Sequence, residues 1–139
     1  MAQDELMRAF ARVRRLARNA KLPRVEESPW YGTPALKVKG KGFLRMKDAE
    51  TLVLRCGLED KERVMEAAPA IYFETDHYKG WAAVLVRLAK IGDKELQFRV
   101  AQAWKAVAPR KDVAVYEAAA KSPAAKKPAK PNRVRRKPL

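Results

Sequence analysis

The sequence predicts an α+β fold in which helices pack on one face of an antiparallel β-sheet. Apolar residues recur every three or four positions near both ends of the chain, and they alternate with polar residues between positions 35 and 55. Helical and alternating segments of this kind are typical of an α+β domain. With 139 residues, the chain has room for one such domain over residues 1–120 and a short tail over 121–139.

The first predicted element is a helix over residues 4–22. Asp4 and Glu5 suit the positive end of its dipole, and Pro23 stops its continuation. One face is apolar, with Leu6, Phe10, Val13, Ala17 and Ala20. A second face carries three arginines, Arg8, Arg12 and Arg15. This arginine row is either an ordinary solvated surface or a contact with nucleic acid.

Residues 29–55 predict a three-stranded meander with turns at 40–42 and 47–50. The period of two places one apolar set on a buried face: Leu36, Val38, Leu44, Met46, Leu52 and Leu54. The opposite face and the hairpin tip carry the cations Lys37, Lys39, Lys41, Arg45, Lys47 and Arg55. No acid occurs from Ser28 to Lys47, so this face is predicted to bind DNA phosphates, against the alternative of an ordinary solvated sheet.

The second half of the chain predicts one short helix, two strands and two further helices. They span 58–68, then 70–75 and 81–88, then Asp93 to Pro109, and finally 113–120. Asp93 is the predicted N-cap of the long helix. The apolar run at 81–88 predicts a central strand.

The formal net charge of +15 favours a polyanionic partner, of which double-stranded DNA is the first candidate. The segment from Lys121 onward holds eight basic residues, four prolines and no acid. It is predicted to be disordered and either to add phosphate contacts or to act as a solubilising extension. The candidate contacts there are Lys126, Lys127, Arg133, Arg135 and Arg136.

Reactive chemistry finds little support in the sequence. Cys56 and His77 are the only residues of their types, too few for a zinc site of nitrogen and sulfur ligands. Cys56 ends an apolar strand, where an inert thiol is expected, and no phosphate-binding glycine loop is present. We therefore expect no catalytic residue, no metal and no cofactor. The single cysteine and the absence of a long apolar run predict a cytoplasmic protein without a membrane partner.

The stretch YFETDHYKGW, residues 72–81, predicts a compact aromatic turn. His77, Tyr78 and Trp81 either close a packed corner or contact a ligand. The alternative function is accordingly a non-enzymatic regulatory module that binds a small molecule or a protein at this corner. RNA binding is a third possibility, for which the stacking candidates are Trp30, Tyr31 and Tyr78.

Three motifs together resemble the MmcQ/YjbR family over roughly residues 5–112. The first comprises Gly32, Pro34, Lys37, Gly40, Lys41 and Phe43. The turn supplies Thr75, His77, Tyr78, Gly80 and Trp81, and the last motif supplies Trp104, Val107, Ala108 and Pro109. Ala82 departs from the family pattern, in which proline often follows the tryptophan.

The resemblance implies a frataxin-like fold and DNA binding through wing-like hairpins, without an established reaction. A frataxin-like fold also raises iron binding through an acidic ridge. The first helix is rich in arginine instead, which disfavours that role.

Overall fold

The computed structural model describes residues 2–121 and confirms the α+β class. Its elements are α1 (Ala2–Asn19), β1 (Val25–Glu27), β2 (Ala35–Val38), β3 (Lys41–Met46), β4 (Thr51–Arg55), α2 (Leu58–Ala67), β5 (Tyr72–Phe73), β6 (Ala83–Arg87), α3 (Asp93–Val107) and α4 (Arg110–Lys121). A short 3-10 turn spans Asp76–Tyr78. The chain divides into two units after residue 108, and α4 is the described element of the second. Of the predicted tail 121–139, Lys121 is the last residue of α4, and residues 122–139 lie outside the described residues.

The six strands form one antiparallel sheet in the order β1-β2-β3-β4-β6-β5. The predicted meander is confirmed, and Leu36, Leu44 and Leu54 lie side by side on its buried face. Helix α3 packs across β3 and β4, and α1 packs against α3. Strand β6 lies inside the sheet, between β4 and β5, as its apolar sequence predicts. No helix within residues 2–121 is both long and apolar enough to cross a membrane.

Strand β1 and the position of the first hairpin turn differ from the prediction. Two of the three residues of β1 are glutamates, so its sequence carries no apolar alternation, and it pairs only at the edge of the sheet. The hairpin turn is Lys39–Gly40 rather than 40–42, because Val38 pairs directly with Lys41. Both turn residues have positive φ, 52° and 76°, which is the geometry of a two-residue hairpin turn.

Asp93 does not cap α3 as predicted. The cap position is Gly92, and the Asp93 carboxylate instead accepts hydrogen bonds from Arg12 (2.8 Å) and Arg15 (3.3 Å). These two bonds hold the pKa of Asp93 below its ordinary value. Arg12 also donates to the carbonyls of Leu88 (2.8 Å) and Ile91 (2.7 Å). Two members of the arginine row therefore anchor α1 to the segment that leads into α3.

Lys61 of α2 is buried, with 2% of its surface exposed. Its ammonium group lies 2.8 Å from each of three oxygens: the carbonyls of Tyr78 and Trp81 and the carboxylate of Glu74. An ammonium group has three donors, so all of them are used here. Because a buried charge is tolerated only when it is paired in this way, Lys61 fixes the segment from Tyr78 to Trp81 against α2.

Replacing Lys61 with methionine should lower the free energy of unfolding by roughly 2–4 kcal/mol. The apolar stem is kept, but two carbonyls and a carboxylate lose their donor in a buried site. Arg63→Met in the same helix is the control. Arg63 is 69% exposed and forms a surface ion pair with Asp60, so its loss should cost less than about 1 kcal/mol. Equal midpoints for the two variants in urea denaturation would contradict the anchoring role of Lys61.

Candidate functional site

The sheet face turned away from α1 and α3 is covered in part by the 3-10 turn. Val53, Ala83 and Leu85 are buried on this face, and Tyr78 from the turn packs against them. Phe73 joins the same cluster from β5. The turn is therefore a packed corner, which was one of the two readings of its sequence. Tyr78 is only 7% exposed, which removes it from the candidates for base stacking.

An open pocket of about 430 Å³ lies beside this corner, and we call it the aromatic pocket. Five rings line it, those of Trp30, Tyr31, His77, Tyr78 and Trp81. Two guanidinium groups, of Arg45 and Arg55, complete its polar lining. The pocket thus joins all three predicted candidates from the turn, His77, Tyr78 and Trp81, to two predicted cations from the sheet.

Tyr31 reaches the pocket from a strained turn. Trp30 and Thr33 exchange backbone hydrogen bonds of 3.0 and 3.3 Å, so Tyr31 and Gly32 form a two-residue turn. Both have positive φ, 55° and 76°. Gly32 adopts this conformation freely, whereas a bulky residue there costs of order 1–3 kcal/mol. The turn is closed by these two hydrogen bonds and presents an aromatic ring, 76% exposed, to the pocket.

Arg45 links the two sides of the aromatic pocket. Its guanidinium donates to the hydroxyls of Tyr78 (2.7 Å) and Thr33 (3.2 Å), and it lies 5.3 Å from the centre of the Tyr31 ring. All three of these partners are neutral. The positive charge of Arg45 is therefore held in place without being cancelled.

A shallow groove of about 420 Å³ adjoins the aromatic pocket, and we call it the basic groove. Lys37 and Lys41 line it, and Trp30 and Arg55 line both concavities. Gly42 also lines it, and the Trp30 ring packs so closely on Gly42 that a Cβ atom there would overlap the ring. Neither concavity has an aspartate or glutamate in its lining.

Four of the six predicted sheet cations line these two concavities, namely Lys37, Lys41, Arg45 and Arg55. Lys39 is exposed at the hairpin tip, and Lys47 is exposed just after β3. The prediction that this face lacks acids does not hold for β1, because Glu26 of that strand is the cross-strand partner of Lys37. Its carboxylate accepts from the Gly40 amide at 3.3 Å. The five tail cations, Lys126, Lys127, Arg133, Arg135 and Arg136, lie outside the described residues.

One residue of this site, Lys61, was not predicted, and for a second, Arg45, the contacts were not predicted. Lys61 bonds to the carbonyls of Tyr78 and Trp81, two residues that line the aromatic pocket. In the sequence, only its spacing indicates burial: Lys61 precedes Val64 by three residues, so both lie on the buried side of α2. Arg45 was predicted as an outward cation, but nothing in the sequence indicates its bonds to Thr33 and Tyr78. Such contacts depend on how the turns fold over the sheet.

Cys56 and His77 line different concavities. Cys56 borders a smaller cavity of about 220 Å³ with Asp60, Tyr72 and Arg99, whereas His77 lines the aromatic pocket. Burial raises the pKa of the Cys56 thiol, and the negative charge of Asp60 adds to this effect. A raised pKa means that the thiol is neutral near pH 7, which is unfavourable for a nucleophile. Within residues 2–121, no three His, Cys, Asp or Glu side chains group as metal ligands would.

Alkylation of Cys56 by iodoacetamide should be slow near neutral pH. The rate should continue to rise above the pH at which an ordinary thiol is fully ionised, because only the thiolate reacts. The same chain unfolded in urea is the control and should follow the profile of a free thiol. A rate that levels off below about pH 8 in the folded protein would indicate a stabilised thiolate and contradict this account.

Comparison with known proteins gives this architecture a family. The model of the YjbR family matches residues 20–106, which include the whole lining of the aromatic pocket and all of the basic groove except Val107. Three mycobacterial proteins, the uncharacterized proteins Rv2570 and MT2646 of Mycobacterium tuberculosis and Mb2600 of Mycobacterium bovis, are each 42% identical to this chain over 48 residues. That match covers 34% of this chain and 37% of each relative. The chain belongs to the YjbR family.

Proposed function

We propose that this protein binds DNA with weak sequence specificity, mainly through contacts to backbone phosphates at the basic groove and the aromatic pocket. One observation carries the proposal: two adjoining concavities are together lined by four cations and have no aspartate or glutamate in their lining. Phosphate contacts dominate the affinity of proteins for nucleic acids and carry no sequence information.

The cations of this surface are available to an anion. Within residues 2–121, Lys37, Lys41 and Arg55 make no ion pair, and Arg45 is bonded to neutral groups. An incoming phosphate therefore does not have to displace a carboxylate. Arginine also offers paired donors that match two phosphate oxygens.

Two further features support DNA as the partner. The β2–β3 hairpin carries Lys39 exposed at its tip, and a hairpin of this kind can follow a groove of the duplex. The segment from residue 122 to residue 139 adds seven basic residues and no acid. Those residues would contribute contacts that are independent of sequence.

The aromatic pocket also favours a second candidate, a regulatory module that binds a small molecule. Its volume of about 430 Å³ lies within the range of roughly 300–1,000 Å³ typical of small-molecule sites. His77→Ala and Trp81→Ala distinguish the two candidates. Altered binding of a small molecule with unaltered DNA affinity in both variants, at an unchanged melting temperature, would support the small-molecule module over DNA binding at the pocket.

A salt titration tests the role of the folded surface. If five to eight phosphates are engaged, the logarithm of the association constant should fall with a slope of about −4 to −7 against the logarithm of salt concentration. The double variant Lys41→Gln, Arg55→Gln should make this slope shallower by about two. Lys90→Gln, Lys94→Gln removes the same charge beyond the far end of β6 and should leave the slope nearly unchanged. Equal slopes for the two double variants would contradict the surface assignment.

Deletion of residues 122–139 separates the tail from the folded surface. The truncated chain should bind duplex DNA more weakly and with a shallower salt slope, because seven basic residues are lost. Binding that depends on Lys41 and Arg55 should persist. Complete loss of binding in fluorescence anisotropy would show that the tail alone is the site.

A further inference from the structure

We propose that the aromatic pocket holds an unpaired base, so that the protein prefers single-stranded or locally opened DNA to an intact duplex. This inference rests on the proposed DNA binding and adds a part of the nucleotide that the phosphate contacts do not use. The ligand chemistry is a planar nucleobase attached to a phosphate.

Exposure of the rings is the first argument. Tyr31 is 76% exposed and Trp81 is 56% exposed, and both line the same pocket. Phosphate binding alone does not require exposed aromatic rings. Aromatic rings beside a cationic track are the arrangement by which proteins bind single strands, because every base has a face that can stack.

The orientation of the rings is the second argument. Trp30 and Tyr31 are nearly parallel, with centres 5.7 Å apart and planes at 25°. His77 and Trp81 form a second such pair, 6.0 Å apart and at 19°. The two pairs supply flat faces of the kind on which a base stacks. Arg45, which lies 5.3 Å from the Tyr31 ring, adds a planar cation at the same place.

The support beneath the rings is the third argument. Lys61 fixes the carbonyls of Tyr78 and Trp81, and the Tyr31–Gly32 turn is closed by two backbone hydrogen bonds. The rings are thus positioned before any ligand arrives, which lowers the ordering cost of binding.

The adjoining basic groove connects the base to its phosphates. Trp30 and Arg55 border both concavities, so a base in the pocket places the flanking backbone beside Lys37 and Lys41. In an intact duplex the bases are stacked on their neighbours and cannot enter the pocket. An unpaired strand can offer base and phosphate at the same time.

The test compares three fluorescent ligands of equal length at one salt concentration. They are oligothymidine of about twelve nucleotides, the same backbone without bases, and the corresponding duplex. We expect oligothymidine to bind about tenfold or more tightly than the abasic strand, which carries the same phosphates. Oligothymidine should also bind more tightly than the duplex. Equal binding of the oligothymidine and abasic strands would overturn the proposal.

Three single variants locate the effect. Trp81→Ala and Tyr31→Asn should each weaken oligothymidine binding about tenfold and leave the affinity for the abasic strand nearly unchanged. Asparagine suits the positive φ of residue 31, so the turn is kept while the ring is removed. Phe98→Ala removes a ring that is 53% exposed on α3 and lines neither concavity, and it should have no effect. Equal affinities of all three variants for oligothymidine would overturn the proposal.

The outcomes separate this inference from the proposed function. If binding depends on salt but is the same with and without bases and is unaffected by Trp81→Ala, the base pocket is wrong and the proposed phosphate binding stands. Absence of salt-dependent binding to any of the three ligands overturns both. If micromolar thymidine monophosphate displaces oligothymidine, the pocket is a site for free nucleotides and the assignment to a DNA strand is wrong.

Discussion

The buried ammonium group of Lys61 is the interaction on which the candidate site depends. It is 2% exposed and satisfied by three oxygens, two of which are backbone carbonyls of the segment from Tyr78 to Trp81. That segment carries the Tyr78 ring, which packs on the outer face of the sheet, and the Trp81 ring, which is exposed beside it. Without a donor at this position, two carbonyls would be left unsatisfied, and the segment would have to rearrange toward water. One lysine thus connects helix α2 to the geometry of the aromatic pocket.

Strands β3 and β4 supply the positive charges of the aromatic pocket, Arg45 and Arg55. Elsewhere on the surface, Arg12 and Arg15 are paired with the carboxylate of Asp93. Around the pocket, Arg45 is held by the hydroxyls of Tyr78 and Thr33, which fix its position and leave its charge intact. A cation that is both positioned and uncancelled attracts anions more strongly than one paired with a carboxylate. The exposed rings of Tyr31 and Trp81 line the same pocket and can contact a base, which phosphate binding does not require. The proposed binding of DNA depends on both the cations and the rings.

Much of the fold could be predicted from the sequence because its strands and helices have clear periods. Leu36, Leu44 and Leu54 each belong to an apolar set with a period of two, and they lie side by side across three strands on the buried face. Strand β1 could not be predicted, since its Val-Glu-Glu sequence gains its place only from pairing with β2. The cations and the turn residues of the site were each predicted, but the sequence did not indicate that they line the same pocket. This arrangement depends on contacts distant in sequence, such as those of Arg45 with Tyr78 and of Lys61 with Trp81.

The three tryptophans offer the most direct test of the claim that this face binds DNA. Trp30 and Trp81 line the aromatic pocket, whereas Trp104 is fully buried and its indole nitrogen donates to the carbonyl of Pro23 at 3.0 Å. Each indole gives its own signal in an NMR spectrum of ¹⁵N-labelled protein. During titration with oligothymidine, the signals of Trp30 and Trp81 should move and that of Trp104 should stay in place. Bound DNA with the Trp30 and Trp81 signals unmoved, or with Trp104 shifted as far as they are, would contradict the assignment of this surface.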